Sequence, residues 1–586
     1  MTSTTLFNTQ TLRARIARTF REERAAVLLA LAITIVMVLF LLVPIFEAIA
    51  VGFYSDGQIS TYWFARVVTN PILMQELLNT AILASITTAV CIVISLPLAI
   101  LRARYRFRGD GVLAMLLLVP LILPPFVGAI AMKRFLGQFG VFNLMLEELG
   151  IIDFAESLPP DWLGSGFVGV VILQALHLFP ILYLNLTAAL ANIDPALGQA
   201  ARNLGASKLK TFLHVTFPLL MPGLFAGGTI VFIWAFTDIG TPIIVGYEHL
   251  TPVTIFKELA TAEVNPRTYS LVFILLSASL TFYLMGKFFL GMSHGTGSSK
   301  ATIVAETSEL SPLATVGAWL LFGTVIFVSV LPHIGVLLLG ISDHWVNTIL
   351  PTSYTARHLI FVFENPDTLG SIINSLKYAG IATLLDIIVG AVAAWIIIRT
   401  RIAGRSALDT LCMLPLAVPG LILAAGYVAI TAQGTWLESI GPTQNPFIIL
   451  VVAYAIRRIP FVVRGVAAGL QQVSESLEEA ARNLGASKLT TSLRITMPLI
   501  AANIIAAGVL TFSFHMLEVS DSLILAQTSE YYPITKQIYR LATSTGSPEA
   551  VNQAAAMGVY GILLLGVTMG AASLLLGKRL GAVFRA

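Results

Sequence analysis

Charge is what this sequence has least of. Only 11% of its 586 residues are Asp, Glu, Lys or Arg, against about 25% in an ordinary soluble chain. Cysteine is almost absent, and Cys91 and Cys412 both lie in apolar runs. They read as small buried hydrophobes rather than as a disulfide or a metal pair. The formal net charge of +4 comes without a basic tract, so nucleic acid is not an expected partner. The signatures of chemistry are missing too. No Gly-x-x-x-x-Gly-Lys-Ser/Thr phosphate loop, His-Glu-x-x-His, Cys-x-x-Cys or Gly-x-Ser-x-Gly occurs. The nearest string, Gly295-Thr-Gly297-Ser-Ser-Lys300, has the wrong spacing for a phosphate loop. These absences predict a chain that is not an enzyme by itself, with no catalytic residue, no metal site and no cofactor.

Apolar residues fill the space that charge leaves. They make up 56% of the chain and recur in runs of about 20 or more, the length that crosses a bilayer. The expected fold is an all-α polytopic membrane protein. Spans are expected at about 25–54, 79–101, 112–132, 167–190, 218–245 and 269–292 in one half, and at about 313–341, 374–398, 408–432, 447–470, 497–526 and 555–577 in the other. The first run is too long for a signal-peptide core, and the arginines ahead of it (Arg13, Arg15, Arg18, Arg21, Arg24) hold its start inside.

The positive-inside rule checks the count. Twelve spans with the N-terminus inside place Arg102–Arg108, Arg399–Arg405 and the tail Lys578–Arg585 on one face. The acidic stretch at 133–166, with Glu147, Glu148, Asp153, Glu156 and Asp161, falls on the other. Both chain ends are expected on the cytoplasmic side, with the spans in contact with membrane lipid.

One polar stretch occurs twice, letter for letter. AARNLGASKL runs from Ala200 to Leu209 and again from Ala480 to Leu489, an offset of 280 residues. The chain is therefore an internal duplication. The expected layout is a cytoplasmic segment at 1–24, one six-span domain at 25–292, a Gly/Ser/Thr-rich cytoplasmic linker at 293–312 and a second six-span domain at 313–586. Each half starts inside and has an even number of spans, so the repeats are parallel and their axis follows the membrane normal. The membrane segments have diverged while the short loop has not, which suggests that both loops, at about 193–217 and 473–497, meet the same external surface. Strong helix formers before Gly205 and Gly485 predict a helix, a left-handed glycine and a second helix. Such an elbow offers small residues, Ala200 and Ala201, to a groove, with Arg202 and Lys208 at its edges.

The second copy, Glu479-Ala480-Ala481…Gly485 ending in Ile495-Thr496-Met497-Pro498, resembles the EAA motif of ABC importer permeases. The first copy departs from the motif, with Gln199 where the Glu belongs. The resemblance covers the chain as two successive permease domains. It implies that the elbows are coupling helices seated in two copies of a separate cytoplasmic ABC ATPase, with Gln199, Ala200, Ala201, Arg202, Gly205, Glu479, Ala480, Ala481, Arg482 and Gly485 at the contacts. It also implies an extracytoplasmic substrate-binding protein as partner. Pro124-Pro125-Phe126-Val127-Gly128-Ala129 and Arg457-Arg458-Ile459-Pro460 look like the ferric-iron branch. Its relatives also move thiamine, aminoethylphosphonate and sugar phosphates. The rival class is an ATP-independent secondary transporter, which also has twelve spans but needs no duplicated docking loop.

Ionisable residues inside spans default to functional hypotheses. Asp238 and Glu518 match at the 280 offset, and Asp521 and His515 lie about one turn from Glu518. They are read as a pathway lining or gate, or as caps of irregular backbone. Arg457 and Arg458 replace His177 and Leu178 of the first half. They either attract an anionic substrate or form fixed ion pairs with Glu518 or Asp386. His177 fits a satisfied interior histidine. Prolines at 120, 124, 125, 415 and 419 are expected to kink the third span of each half and free carbonyls that need partners. Asn79-Thr80 and Asn374-Ser375, 295 residues apart, are expected to open the second spans.

Overall fold

The computed structural model describes residues 23–576 apart from 56, 262, 291–307, 545, 546 and 548. The N-terminal segment, most of the stretch joining the halves and the basic tail lie outside the described residues. What is described is helical, with only three two-stranded pairings among the described residues. Among the described residues nine helices are long and apolar enough to span a membrane, and two bent pairs bring the number to eleven. The tenth expected span is the 24-residue helix Phe447–Leu470, in which Arg457, Arg458 and Arg464 break the apolar run. Many large apolar side chains point outward along the spans, including Phe46, Val93 and Leu320. Such contiguous apolar faces belong against lipid.

The third spans depart from expectation most. Instead of kinked rods they are helix pairs: Asp110–Ile122 with Pro125–Glu148 bent by 94°, and Arg405–Leu416 with Gly420–Ile430 bent by 99°. At the first corner Leu123 and Pro124 are extended, and at the second Pro419 is. A proline both withholds its N–H and pushes the preceding residue away from helical angles, and Pro124-Pro125 does this twice in succession.

The fifth and eleventh spans also stop earlier than expected. Their helices end at Phe236 and Met516, and short helices Gly240–Val245 and Ser520–Leu525 follow after a break. Asp238 and Glu518 therefore sit in the breaks, not within continuous helix.

The second spans begin earlier than expected, as 34-residue helices Pro71–Arg104 and Pro366–Arg399. Asn70 and Asn365 cap them by accepting from the next two free N–H groups. Asn79 and Asn374 lie inside these helices and hold connecting loops by donating to His249 O and Glu530 O. Beside them, Thr80 and Ser375 accept from the backbone N–H of Thr251 and Ile534. The repeated Asn-Thr/Ser pair thus secures the starts of Thr251–Leu259 and Ile534–Ala542 rather than its own helix.

Within each half the second span packs along the fourth. Between halves, each first span packs on the far limb of the other half's bent third span. A Cβ on Gly426 would lie 2.3 Å from Pro44 O, and one on Gly335 would lie 2.7 Å from the Ala131 Cβ. Glycine lets these backbones approach. Tyr427 OH donates to Phe40 O at 2.7 Å and Tyr269 OH to Ala425 O at 2.9 Å, so the first half's spans are bonded directly to the second half.

Candidate functional site

Two features stand out, a pair of exposed elbows at one end of the bundle and a buried charge cluster between the halves. Each elbow starts at a capped helix. Asp194 accepts from Ala196 N–H ahead of Pro195–Asn203, and Ser474 from Ser476 N–H ahead of Glu475–Asn483. Each helix ends in the same hydrogen-bond pattern. Ala206 N–H bonds Ala201 O and Gly205 N–H bonds Arg202 O, while Ala486 and Gly485 repeat this on Ala481 and Arg482. That is a Schellman ending, which requires a left-handed residue, and Gly205 and Gly485 have φ of +88° and +89°. Ser207 and Ser487 then cap the second helices, which pass through a π-helical turn (Phe212–Thr216, Ser492–Thr496) into the fifth and eleventh spans.

Leu204 and Leu484 are 89% and 90% exposed at the elbow tips. Ala200, Ala480, Gln199 and Glu479 are on the exposed side. Ala201 is half-buried and Ala481 is buried, because the helix folds back on the π-helical turn, so the second alanine of each copy packs inward instead of facing a groove. Arg202 and Arg482 are exposed and reach back one turn to Gly198 O and Glu478 O.

The elbows differ in how they are tied to the spans. Arg399, at the end of the eighth span, donates to Glu478 Oε1 at 2.9 Å and to Leu470 O and Val473 O at 2.8 Å each. Thr496 Oγ1 donates to the same Glu478 oxygen at 3.1 Å. In the first half, Gly198 stands at the position of Glu478, and Arg104, in the place of Arg399, donates to Thr216 Oγ1 at 2.9 Å. The 280 offset carries this mismatch in plain view, but sequence reasoning read Arg399 only as a marker of topology.

The same end of the bundle carries Tyr105–Arg106, paired in parallel with Ser308–Glu309. The basic loops, both elbows and the start of the second half therefore share one face.

In the second half, Arg457 bonds Glu518, and its Nη1 also lies 3.1 Å from Asp521 Oδ2. Arg458 donates to Glu518 Oε2 at 3.0 Å and lies over the Phe514 ring. The ion-pair reading of both arginines with Glu518 matches this geometry. Asp386 instead lies 3.2 Å from His515 Nε2, in a pocket closed to solvent. A guanidinium fits here because Gly420 has no side chain, since a Cβ there would lie 2.3 Å from Arg457 Nη1.

The first half solves the same position without arginine. Asp238 Oδ1 accepts from Gly240 and Thr241 N–H and caps the short helix across the break. Its Oδ2 accepts from Gln174 Nε2 at 3.0 Å. Among the described residues no cation pairs with Asp238. His177 Nδ1 lies 2.9 Å from Pro120 O, which satisfies a carbonyl at the bent third span. Gln174 was not singled out in the sequence, because a lone glutamine in an apolar helix carries no pattern.

His177, Asp238, Arg457, Arg458, Glu518 and Gln174 all line one cavity of about 140 Å³, drawn from both halves. Asp521 stands behind it, bonded to Arg457. Among the described residues no group of three or more His, Cys, Asp or Glu side chains is placed to hold a metal ion.

Comparison with known proteins agrees with this architecture. A permease named as the putative ferric transport system protein FbpB 1 of Haemophilus influenzae is 26% identical over 507 residues, covering 84% of this chain and 77% of its own. The ferric transport system permease FbpB of Actinobacillus pleuropneumoniae is 26% identical over 85% of this chain and 71% of its own. A probable molybdenum ABC transporter permease of Haloferax volcanii is 30% identical, over only 38% of this chain. Residues 92–291 and 386–582 each match the family described as binding-protein-dependent transport system inner membrane component. The chain belongs to that family and carries its domain twice, which makes it a multi-pass inner-membrane permease of an ABC importer, a transport component rather than an enzyme, working with a substrate-binding protein.

Proposed function

We propose that this permease is driven by two separate ATPase subunits, one on each elbow, and that its cargo is ferric iron. The observation that carries the first part is the duplicated elbow, with identical sequence, identical left-handed glycine and an uncovered leucine at each tip. A secondary transporter has no use for two such tips. In this reading the face bearing the elbows and basic loops is cytoplasmic, and both chain ends lie there. Closure of the two ATPases pushes on the elbows and reaches the fifth and eleventh spans through the π-helical turns, whose far ends carry Asp238 and Glu518. The gate is then the region where the two breaks and the two bent third spans converge on the shared cavity.

For the cargo, the relatives named for ferric transport match along most of both chains, whereas those named for molybdenum or for spermidine and putrescine match 38% and 33% of this chain, over 79% and 68% of their own. The cavity supports a cation better than an organic anion. Arg457 and Arg458 are committed to carboxylates, while Asp238 has no cationic partner among the described residues.

Two experiments test this. Replacing Gly205 and Gly485 together with bulky residues abolishes ATPase association, and an intact complex with full transport would overturn the coupling assignment. A thermal-shift screen on the associated binding protein shows stabilisation by ferric iron. Stabilisation by a phosphonate or a phosphate ester instead would overturn the cargo.

A further inference from the structure

The two elbows share the exposed AARNLGASKL turn but have different roots. In the second half, the carboxylate of Glu478 receives both Arg399 and Thr496, and Arg399 also holds the carbonyls of Leu470 and Val473. One guanidinium and one carboxylate thus join four pieces: the end of the eighth span, the end of the tenth, the elbow helix and the base of the eleventh. The pair is largely shielded, with side-chain exposures of 7% for Arg399 and 13% for Glu478. Shielding, together with an ionised donor and an ionised acceptor, makes such a bond strong. Glu475 adds a second, exposed carboxylate 3.6 Å from Arg399.

In the first half, Pro195 and Gly198 stand where Glu475 and Glu478 do, and the elbow helix carries no acid at all. Arg104 is exposed, and among the described residues it forms no ion pair. It reaches the base of the fifth span at Thr216 but nothing on the elbow helix.

We propose that Arg399 and Glu478 are positioning residues that make the second elbow the stiff transmitter of the ATPase stroke, and that the first elbow, with Gly198, is compliant. The proposal rests on the assignment of the elbows as ATPase docking sites. An elbow tied to three spans moves them as one body. An elbow without such a clamp yields before it pushes. The stroke therefore enters the permease unequally, and mainly through the half that also carries the Arg457–Glu518 cluster.

Both native cysteines are fully buried, so single cysteines at the exposed leucines take a spin label selectively. In the full-length permease with its ATPases, a label at Leu484→Cys is expected to be less mobile than one at Leu204→Cys. Glu478→Ala brings the two mobilities together. Gly198→Glu, whose Cβ meets only the Thr211 methyl at 3.7 Å, offers Arg104 a partner and reduces mobility at 204. In proteoliposomes, Glu478→Ala lowers substrate moved per ATP hydrolysed by about fivefold or more, in the range of site-to-site coupling, while the ATPases stay bound and keep hydrolysing. Glu478→Asp recovers part of that ratio.

Equal mobilities in the unmodified permease overturn the proposal, as does a Glu478→Ala complex that transports with unchanged yield. Should Glu478→Ala fail to assemble, the gain of order in Gly198→Glu still decides. If no ATPase binds even the unmodified chain, the docking assignment has failed. If it binds and the elbows respond alike, only the asymmetry has.

Discussion

Asp238 and Glu518 stand 280 residues apart in the sequence and line one cavity from opposite halves of the molecule. The duplication placed a carboxylate at each break after a long span, and the two halves then used it differently. Asp238 bonds a glutamine and two backbone N–H groups. Glu518 holds two arginines.

That difference sets the response to removing each acid. Glu518→Ala leaves Arg457 with Asp521 alone and Arg458 with no carboxylate partner in a largely buried site. Breaking a buried pair from one side costs about 3–5 kcal/mol, so the purified variant is expected to melt well below the unmodified protein or to fail to accumulate. Asp238→Asn keeps the shape and most hydrogen bonds, so its melting temperature is expected to stay close to normal. Its iron uptake into proteoliposomes should fall about tenfold, the effect of about 1.4 kcal/mol on a barrier. Normal uptake by Asp238→Asn would remove this residue from the pathway.

At the elbows, Gly205→Ala and Gly485→Ala isolate backbone strain from crowding. A Cβ at either position meets nothing within 4 Å, so the whole cost comes from the left-handed φ, about 1–2 kcal/mol per residue. The two variants are expected to lower thermal stability by similar small amounts. A large difference between them would show that the elbows are not equivalent at the turn itself.

Gly426→Ala tests the contact between halves. Its methyl would meet Pro44 O at 2.3 Å, and overpacking of this kind costs about 1–3 kcal/mol. Gly317→Ala, where a Cβ meets nothing within 4 Å, is the matched control and is expected to be neutral in the same melting assay.

Lys536 gives a pH-dependent expectation. It lies in the short helix Ile534–Ala542, outside the candidate spans, is buried and donates to Leu523 O at 2.7 Å. Burial pushes its ammonium down to about 8 from an ordinary value of about 10.4. The unfolded chain binds this proton more tightly, so the group weakens the fold fully below pH of about 8, and stability rises as pH climbs from there toward 10.4. Lys536→Met removes this pH-dependent gain, visible as a smaller rise in melting temperature between pH 8 and 10.

Much of this architecture was legible in the sequence because its causes are local. The long spans follow from apolar runs, and the elbow follows from helix formers and one glycine. Its first helix, glycine turn and resumed helix were expected in that order, while the caps at Asp194, Ser207, Ser474 and Ser487 were not. The right-angle bends were half legible: the prolines at 120, 124, 125, 415 and 419 announced a disturbance, but its size depends on Leu123 and on how the far limbs pack in the other half. The cost of isolated charge in a membrane pointed to ion pairs for Arg457 and Arg458, but left Glu518 and Asp386 open as partners beside an anion-attracting role. His515 with Asp386, and Gln174 with Asp238, were out of reach, because no repeated spacing links the partners. The inward turn of Ala481 was hidden because it depends on packing that no local pattern announces. Its burial comes from the π-helical turn folding back on the elbow helix.

Each half's first span is held by the other half's bent third span, like two clasped hands. A cut in the connecting stretch would leave the hands clasped, so continuity of the chain is not what keeps the halves together. What continuity fixes is stoichiometry, with one copy of each half in every assembled unit and never two of the same kind. A homodimer must give both sides the same residue. A fused chain can keep Gly198 on one side and Glu478 on the other, so any specialisation that arises between the halves is inherited as a matched set.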